Sequence, residues 1–416
     1  MKLAPGMPLA IGLLTDEAAE PASVGRLAMA QGQAQLEWSP DALAARHPID
    51  PVLYPLEPGL LAARTGNFEG LHGFLSDSLP DAWGTLLIKR RLARLGHSLA
   101  QFSAVDRLAL VGRHGRGALV YQPTALPDDT AASLDLDLLA AESRTILLGE
   151  ESALGDTLAA LGGASGGARP KVHIGLSADG RSCIAEGDLA PGFDSWIVKF
   201  RAPGDAIDSG PVEEAYARMA RAAGIVMAET RLIPARDGPG YFATRRFDRP
   251  APGRRLHMVS LAGAVEAAAH MPSLDYDGFL RATLAITRHA GDVEQAFRRM
   301  VFNVLAHNRD DHTRQHAYLM DNAGVWRLAP AYDLTFSAGP GGEHYLAVEH
   351  EGRNPTREHV ERLGKRHGLS TRAIAGIIDE VRAAVSEWPR YGVELSVKAS
   401  RQEVKDGLAA INHAFA

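Results

Sequence analysis

The chain has 416 residues, 46% of them hydrophobic and 23% charged, with a formal net charge of −6 and a single cysteine, Cys183. These proportions exclude a disordered chain and point to a globular protein of more than one domain, while one cysteine excludes an intrachain disulfide and fits a reducing cytoplasm. The acidic balance argues against a free-standing nucleic-acid binder, whose affinity comes largely from neutralised phosphates, and no apolar run approaches the roughly 20 residues of a membrane helix.

The N-terminus makes a poor signal peptide: Pro5 and Pro8 break its short apolar run, and Asp16 and Glu17 follow. Val24 to Ala30 and Gln33 to Trp38 are predicted strands split by the Gln31-Gly32 turn. Ser78-Leu79-Pro80-Asp81 opens a helix to about Gly96, with Pro80 in its first turn, where proline is tolerated. A helix at Ala104 to Val111 and a strand at Gly117 to Tyr121 close the first module. Pro123 to Asp135, rich in Pro, Asp, Thr and Ser, is the predicted linker. After a helix and a glycine-rich loop come strands at Lys171 to Leu176, Ser182 to Glu186 and Ser195 to Phe200. Pro211 starts a helix to near Gly224 whose apolar face is Val212, Ala215, Tyr216, Met219 and Ala223. Strands at Glu229 to Pro234 and Tyr241 to Phe247 follow.

Beyond Pro250 the pattern turns helical. Asp292 and Gln295 have capping-box spacing, and Val293, Ala296, Phe297, Met300, Val301, Val304 and Leu305 then repeat at three- and four-residue steps, which predicts a buried face. A basic stretch, Arg353 to Arg372, has Glu358 and Glu361 interleaved and reads as a solvated helix face. The expected organisation is a small N-terminal module over 1–125, a strand-rich lobe over 126–250 and a helical lobe over 251–416. Two unequal lobes suit an enzyme that holds a nucleotide between them.

Four elements carry chemistry. Gly162-Gly163-Ala164-Ser165-Gly166-Gly167-Ala168-Arg169-Pro170-Lys171 can bring backbone N–H groups close to phosphate oxygens, although by itself it equally suits a surface turn. Lys199 lies inside the apolar strand Trp196 to Phe200, where its charge needs a partner; Glu213 on the next helix is the candidate. Two acidic sites, around Asp310 and Asp333, flank a predicted strand pair, Ala317 to Met320 and Val325 to Leu328. Phosphoryl transfer needs such a plan: one aspartate for the substrate hydroxyl, then a polar residue and a second aspartate for metal.

Together these elements resemble the HipA family. The Gly-Gly-x-Ser-Gly-Gly-Ala-Arg-Pro-Lys loop, Lys199, Arg246-Phe247-Asp248-Arg249, His257 to Gly263, Asp310-x-His312 and Tyr332-Asp333 occur in family order, and Leu71 to Trp83 and Asp106 to Gln122 are similar to the family's N-terminal domain. The resemblance implies an α+β fold with a bilobal protein-kinase-like core behind a small α/β N-terminal module, and ATP with magnesium as cofactors. By position, it implies Asp310 as proton acceptor, Asp333 as magnesium ligand with Gln315 beside it, and Lys199 on the phosphates. Gly166, Gly167, Ala168, Arg169 and Lys171 would line the phosphate loop, and Arg245, Arg246 and Phe247 the adenine-side hinge. His312 and Tyr332 would sit beside the nucleotide. The resemblance further implies a serine/threonine kinase toxin acting on a translation component such as an aminoacyl-tRNA synthetase. It would be restrained by a small helix-turn-helix antitoxin, reach DNA only through that complex, and phosphorylate itself at Ser165.

The sequence departs from the family pattern at Gln315, where Asn is usual, at Arg314, where Lys is usual, at Arg245, where Glu is common, and at Ala164, often Ser. These departures put full activity in doubt, and one alternative is a weak or inactive kinase-fold regulator acting with an antitoxin on operator DNA; a small-molecule phosphotransferase, which shares the fold logic and the two aspartates, is another. A zinc site on His307, His312 and His316 is a third, although their spacing matches no standard motif.

Overall fold

The computed structural model describes residues 7–64, 66–124, 134–162, 167, 169–180, 182–186 and 189–415. Most of the expected linker and residues 163–166 and 168, hence Ser165, Gly166 and Ala168, lie outside them. Among the described residues three antiparallel sheets form. The first contains β1 (Leu9–Leu13), β2 (Ala22–Ala30), β3 (Gln33–Trp38), β4 (Leu60–Ala62) and β5 (Leu119–Gln122), in the order β4-β3-β2-β1-β5. β3 shows the period-two alternation of a strand with one covered face: Ala34, Leu36 and Trp38 point inward.

The second sheet contains β6 (Lys171–Ser177), β7 (Cys183–Ala185), β8 (Phe193–Lys199), β9 (Thr230–Ile233) and β10 (Tyr241–Arg245), in the order β7-β6-β8-β10-β9. β6 is covered on both faces along nearly its whole length. The helix Ser209–Ala222 crosses between β8 and β9 and buries all five residues of its expected apolar face. The third sheet is small: β11 (His257–Ser260), β12 (Ala317–Met320) and β13 (Trp326–Leu328) in sequence order, set among the helices of the C-terminal lobe. The architecture is therefore α+β, with a strand-rich lobe and a helical lobe behind the N-terminal sheet.

Two helix starts differ from expectation. Asp81, not a residue before Pro80, caps the helix Ala82–Arg94, so Pro80 lies outside its first turn. The helix Ala290–Leu305 is capped by His289, whose ring accepts the Asp292 N–H. Asp292 instead accepts hydrogen bonds from Arg327, and Gln295 ties down the loop after the helix Ser209–Ala222 through Gly224 and Val226. The predicted apolar face of this helix is buried throughout. The basic stretch is a solvated helix face: Arg357 pairs with Glu361, Arg362 with Glu358, and Arg366 with Glu349. Cys183 is half-buried on β7, and Trp388 is core. No helix among the described residues is long and apolar enough to cross a membrane.

The N-terminal sheet shares its core with the helical lobe: Leu27, Leu36 and Phe74 belong to the same apolar cluster as Val259, Phe279 and Met300. The helix Ala82–Arg94 faces the other way. Its Trp83 and Leu87 pack with Val172, Ile174 and Val198 of the second sheet.

Candidate active site

The two lobes meet along a cleft. Lys171, Ile197, Lys199, Thr244 and Arg245 line it from the sheet, Arg246 to Asp248 from the connection, Met258, Tyr332 and Asp333 from the helical lobe, and Arg116 from the N-terminal part. Lys199 ends β8, and its ammonium bridges Glu213 and Asp333. Burial works against that charge, but the two carboxylates hold the proton on and raise its pKa. Burial likewise opposes ionisation of Asp333, yet Lys199 keeps its carboxyl well below the usual carboxylate range. Asp333 adopts a left-handed backbone (φ 55°), which Asp tolerates better than most residues and which turns its side chain back toward Lys199.

Gln315 sits at the end of a short 3-10 turn, Thr313–Gln315, and its amide N–H donates to Asp333 Oδ2 at 3.1 Å. His312 caps that turn, accepting the Arg314 N–H on Nδ1 at 3.2 Å, and its Nε2 lies 3.8 Å from Asp310 Oδ1. Asp310 itself is 45% exposed. Partial burial, then the carboxylates of Asp333 and Asp311, push its pKa up to about 6. That is the tuning a proton acceptor working near neutrality needs.

Behind Asp310 stands a residue that sequence reasoning passed over. Asp311 is fully buried and accepts three hydrogen bonds, from Tyr276 Oη (2.6 Å), the His344 ring (2.8 Å) and the Tyr345 backbone N–H (2.8 Å). It ties the Asp310 loop to the segment that follows Asp333. An acidic pair in a polar turn gave no sign of which carboxylate faces inward.

The expected hinge divides its labour. Phe247 faces the cleft, its ring 5.5 Å from that of Tyr332, and the Tyr332 hydroxyl donates to the Arg314 carbonyl. Arg245 reaches instead to Asp194 on the sheet surface. Arg246 is buried and spent on structure: it donates to both oxygens of Asp248, to Glu186 and to His173. Its backbone N–H bonds Ser195. In the phosphate loop, Arg169 forms a two-pronged pair with Asp205 (2.9 and 3.1 Å), and Lys171 reaches Asp81 at 3.1 Å. Gly167 has φ +88°, and a Cβ there would come within 3.0 Å of the Lys171 ammonium.

The three histidines of the zinc reading diverge. His307 stacks on Phe336, His316 on Phe279, and only His312 reaches the cleft. Among the described residues no group of three or more His, Cys, Asp or Glu side chains could hold a metal ion. Asp333 and Gln315 are in contact, the Gln315 amide nitrogen 3.1 Å from Asp333 Oδ2, and a carboxylate and an amide carbonyl are the kind of hard oxygen donors that magnesium takes.

Comparison with known families fits this geometry. Residues 163–388 match the HipA-like C-terminal domain and residues 18–122 the HipA N-terminal domain. The chain belongs to the HipA family. Among solved structures it is similar to HipA of the Shewanella oneidensis MR-1 toxin–antitoxin system, described in complex with HipB and its operator DNA. The TM-score is 0.71 at 17% identity, covering 98% of this chain and 97% of that one, so the two share a fold. A Helicobacter pylori proinflammatory kinase, CtkA, aligns with 53% of this chain and 91% of its own at 13% identity and a TM-score of 0.32. No curated relative matches the chain. Of the residues singled out in the sequence, Lys199 contacts both Glu213 and Asp333, and Gln315 contacts Asp333.

Proposed function

We propose that this HipA-family protein is an ATP-dependent serine/threonine protein kinase and the toxin of a toxin–antitoxin pair. One observation carries the reading: Lys199 is held between Glu213 and Asp333, with the half-exposed Asp310 within electrostatic reach of Asp333 and Lys199. Phosphoryl transfer consists largely of positioning and charge neutralisation, and these residues can supply both. Asp310 orients a serine or threonine hydroxyl and takes its proton as the oxygen attacks the γ-phosphorus and the ADP oxygen departs. Lys199, kept in place by Glu213, stabilises charge on the phosphates. Phe247 and Tyr332 flank the base, and Gly167, Arg169 and Lys171 meet the phosphates. Asp333 and Gln315 would hold magnesium, which neutralises phosphate charge when bound.

The target is a translation component such as an aminoacyl-tRNA synthetase, and Ser165 is the site of self-modification. The likeness to a HipA–HipB–operator complex supports a small helix-turn-helix antitoxin as partner, with DNA reached through it. The net charge of −6 and the paired arginines of the basic stretch favour that indirect route. We keep residues 1–125, 126–250 and 251–416 as the three working units of this machine.

Intact mass after incubation with magnesium and ATP tests the proposal. The parent should gain one phosphate that maps to Ser165, and Asp310→Ala should gain none. If no phosphate appears on the parent, on a lysate protein or on an added aminoacyl-tRNA synthetase, the kinase assignment fails.

A further inference from the structure

The five residues Asp77 to Asp81 belong to the N-terminal part of the chain, yet their acidic ends touch opposite lobes of the core. Asp77 is 4% exposed. Its Oδ2 accepts the Ser260 backbone N–H at 2.5 Å and its Oδ1 accepts the Ser260 hydroxyl at 2.7 Å. Ser260 ends β11 in the helical lobe and caps the helix Leu261–Val265. The approach is so close that glycine is required on both sides. A Cβ at Gly263 would lie 2.5 Å from Asp77 Oδ2, and one at Gly73 would lie 2.5 Å from the Gly263 carbonyl oxygen.

The other end grips the small lobe. Asp81 Oδ1 accepts the Gly84 N–H at 2.7 Å as a helix cap, while Oδ2 receives the Lys171 ammonium at 3.1 Å, both side chains being 3% exposed. Trp83, two residues on, donates its indole N–H to the Lys171 carbonyl at 3.0 Å. Between the two ends, the Ser78 hydroxyl accepts a hydrogen bond from the Tyr121 hydroxyl at 2.7 Å, which fixes the turn to β5. Burial disfavours the Lys171 charge and Asp81 opposes that loss. An unpaired ammonium in such a place would be costly.

We propose that Asp81 is a positioning residue for the nucleotide site and that the Asp77–Asp81 turn is a clasp between the lobes. Asp81 acts through Lys171, keeping its ammonium at the phosphate edge of the cleft, and Asp77 anchors the same turn to the helical lobe so that the cleft keeps its width. The N-terminal module is thereby part of the nucleotide-binding machinery. The inference rests on the nucleotide reading of the cleft given above.

The test is the affinity for MgADP, measured by titration calorimetry on the full chain for the parent, Asp81→Asn, Lys171→Met and the double variant. Asn keeps the cap oxygen for Gly84 and takes the carboxylate charge away from the Lys171 ammonium. Asp81→Asn should weaken binding about tenfold, the size of an ordinary coupling between touching charged groups. The double variant should bind no more weakly than Lys171→Met alone, because Asp81 acts through the lysine. Asp77→Asn, a change at a side chain whose hydrogen bonds go to Ser260 outside the nucleotide cleft, should weaken binding as well. If Asp81→Asn fails to fold, Asp81→Ser offers the same cap without the charge and is held to the same result. Parent-like affinity in the Asp81 variant, or losses that simply add in the double variant, overturns the clasp and leaves the kinase reading standing. A parent that binds no MgADP overturns both, and is a different result.

Discussion

Lys171 and Lys199 stand directly opposite each other on the antiparallel strands β6 and β8, yet each ammonium is held by a different part of the chain. Like charges at facing positions of a sheet destabilise it. Here the conflict is relieved by sending one lysine to Asp81 and the other to Glu213 and Asp333. Two cations are thus fixed at the rim of one cleft, where a polyphosphate can meet both.

Asp310→Ala should lower the rate of phosphate transfer by about 10²–10⁴-fold, the usual cost of removing a positioned base. Nucleotide affinity should change little, because in the proposed mechanism Asp310 serves the hydroxyl and not the phosphates. Transfer of labelled phosphate, compared with MgADP titration, separates the two effects. A variant as fast as the parent would remove Asp310 from the mechanism.

Activity should fall as the pH drops through about 6, where Asp310 takes up a proton and can no longer accept one from the substrate. The stability effect has its own sign. The folded pKa lies above the ordinary value of 3.8, so ionisation is easier in the unfolded chain, and this group's contribution to stability declines as pH rises from 3.8 to about 6. A pH–rate profile of the parent checks the first point. Its acid limb should not be governed by Asp310 if it survives unchanged in Asp310→Glu.

Lys199→Met should bind nucleotide poorly and melt at a lower temperature. Removing the cation leaves Glu213 and Asp333 facing each other with little solvent, and breaking a buried pair from one side costs about 3 kcal/mol. Adding Glu213→Gln to that variant should recover part of the lost stability without restoring transfer. Differential scanning calorimetry reads the first outcome and labelled phosphate the second.

Gln315→Asn should keep or raise activity. The shorter arm gives up the hydrogen bond to Asp333 Oδ2 but still presents an amide carbonyl to a cation. Its magnesium dependence is the discriminating readout. A collapse at every magnesium concentration would mean that the pocket is built around the longer side chain.

Asp311→Asn should lose about 2 kcal/mol of stability, because one of three buried hydrogen bonds then meets a donor instead of an acceptor. The turnover number should fall with it, while the KM for ATP stays near that of the parent. Thermal melting and steady-state kinetics on the same preparation test both halves.

Much of this molecule could be read along the chain. The helical period of Val293 to Leu305 marked a face that is buried, and the alternation in β3 marked its inward residues. Lys199 in an apolar strand called for a partner, and Glu213 was within reach on the next helix. The helix starts were read less well, because Pro80 and the Asp292–Gln295 spacing fit a cap that the chain builds from Asp81 in one case and His289 in the other. Those choices depend on what else each side chain can bond, and Asp292 finds Arg327.

The sequence by itself determined the order of elements and the residue types at the cleft, since periodicity, caps and motif spacing are local properties. Only the tertiary structure decided which carboxylates serve which partners. Asp81 meets Lys171 across 90 residues and Asp77 meets Ser260 across 183. Contacts that distant leave no period or spacing behind, because the packing of separate elements creates them and neither end of the pair carries the pattern of the other.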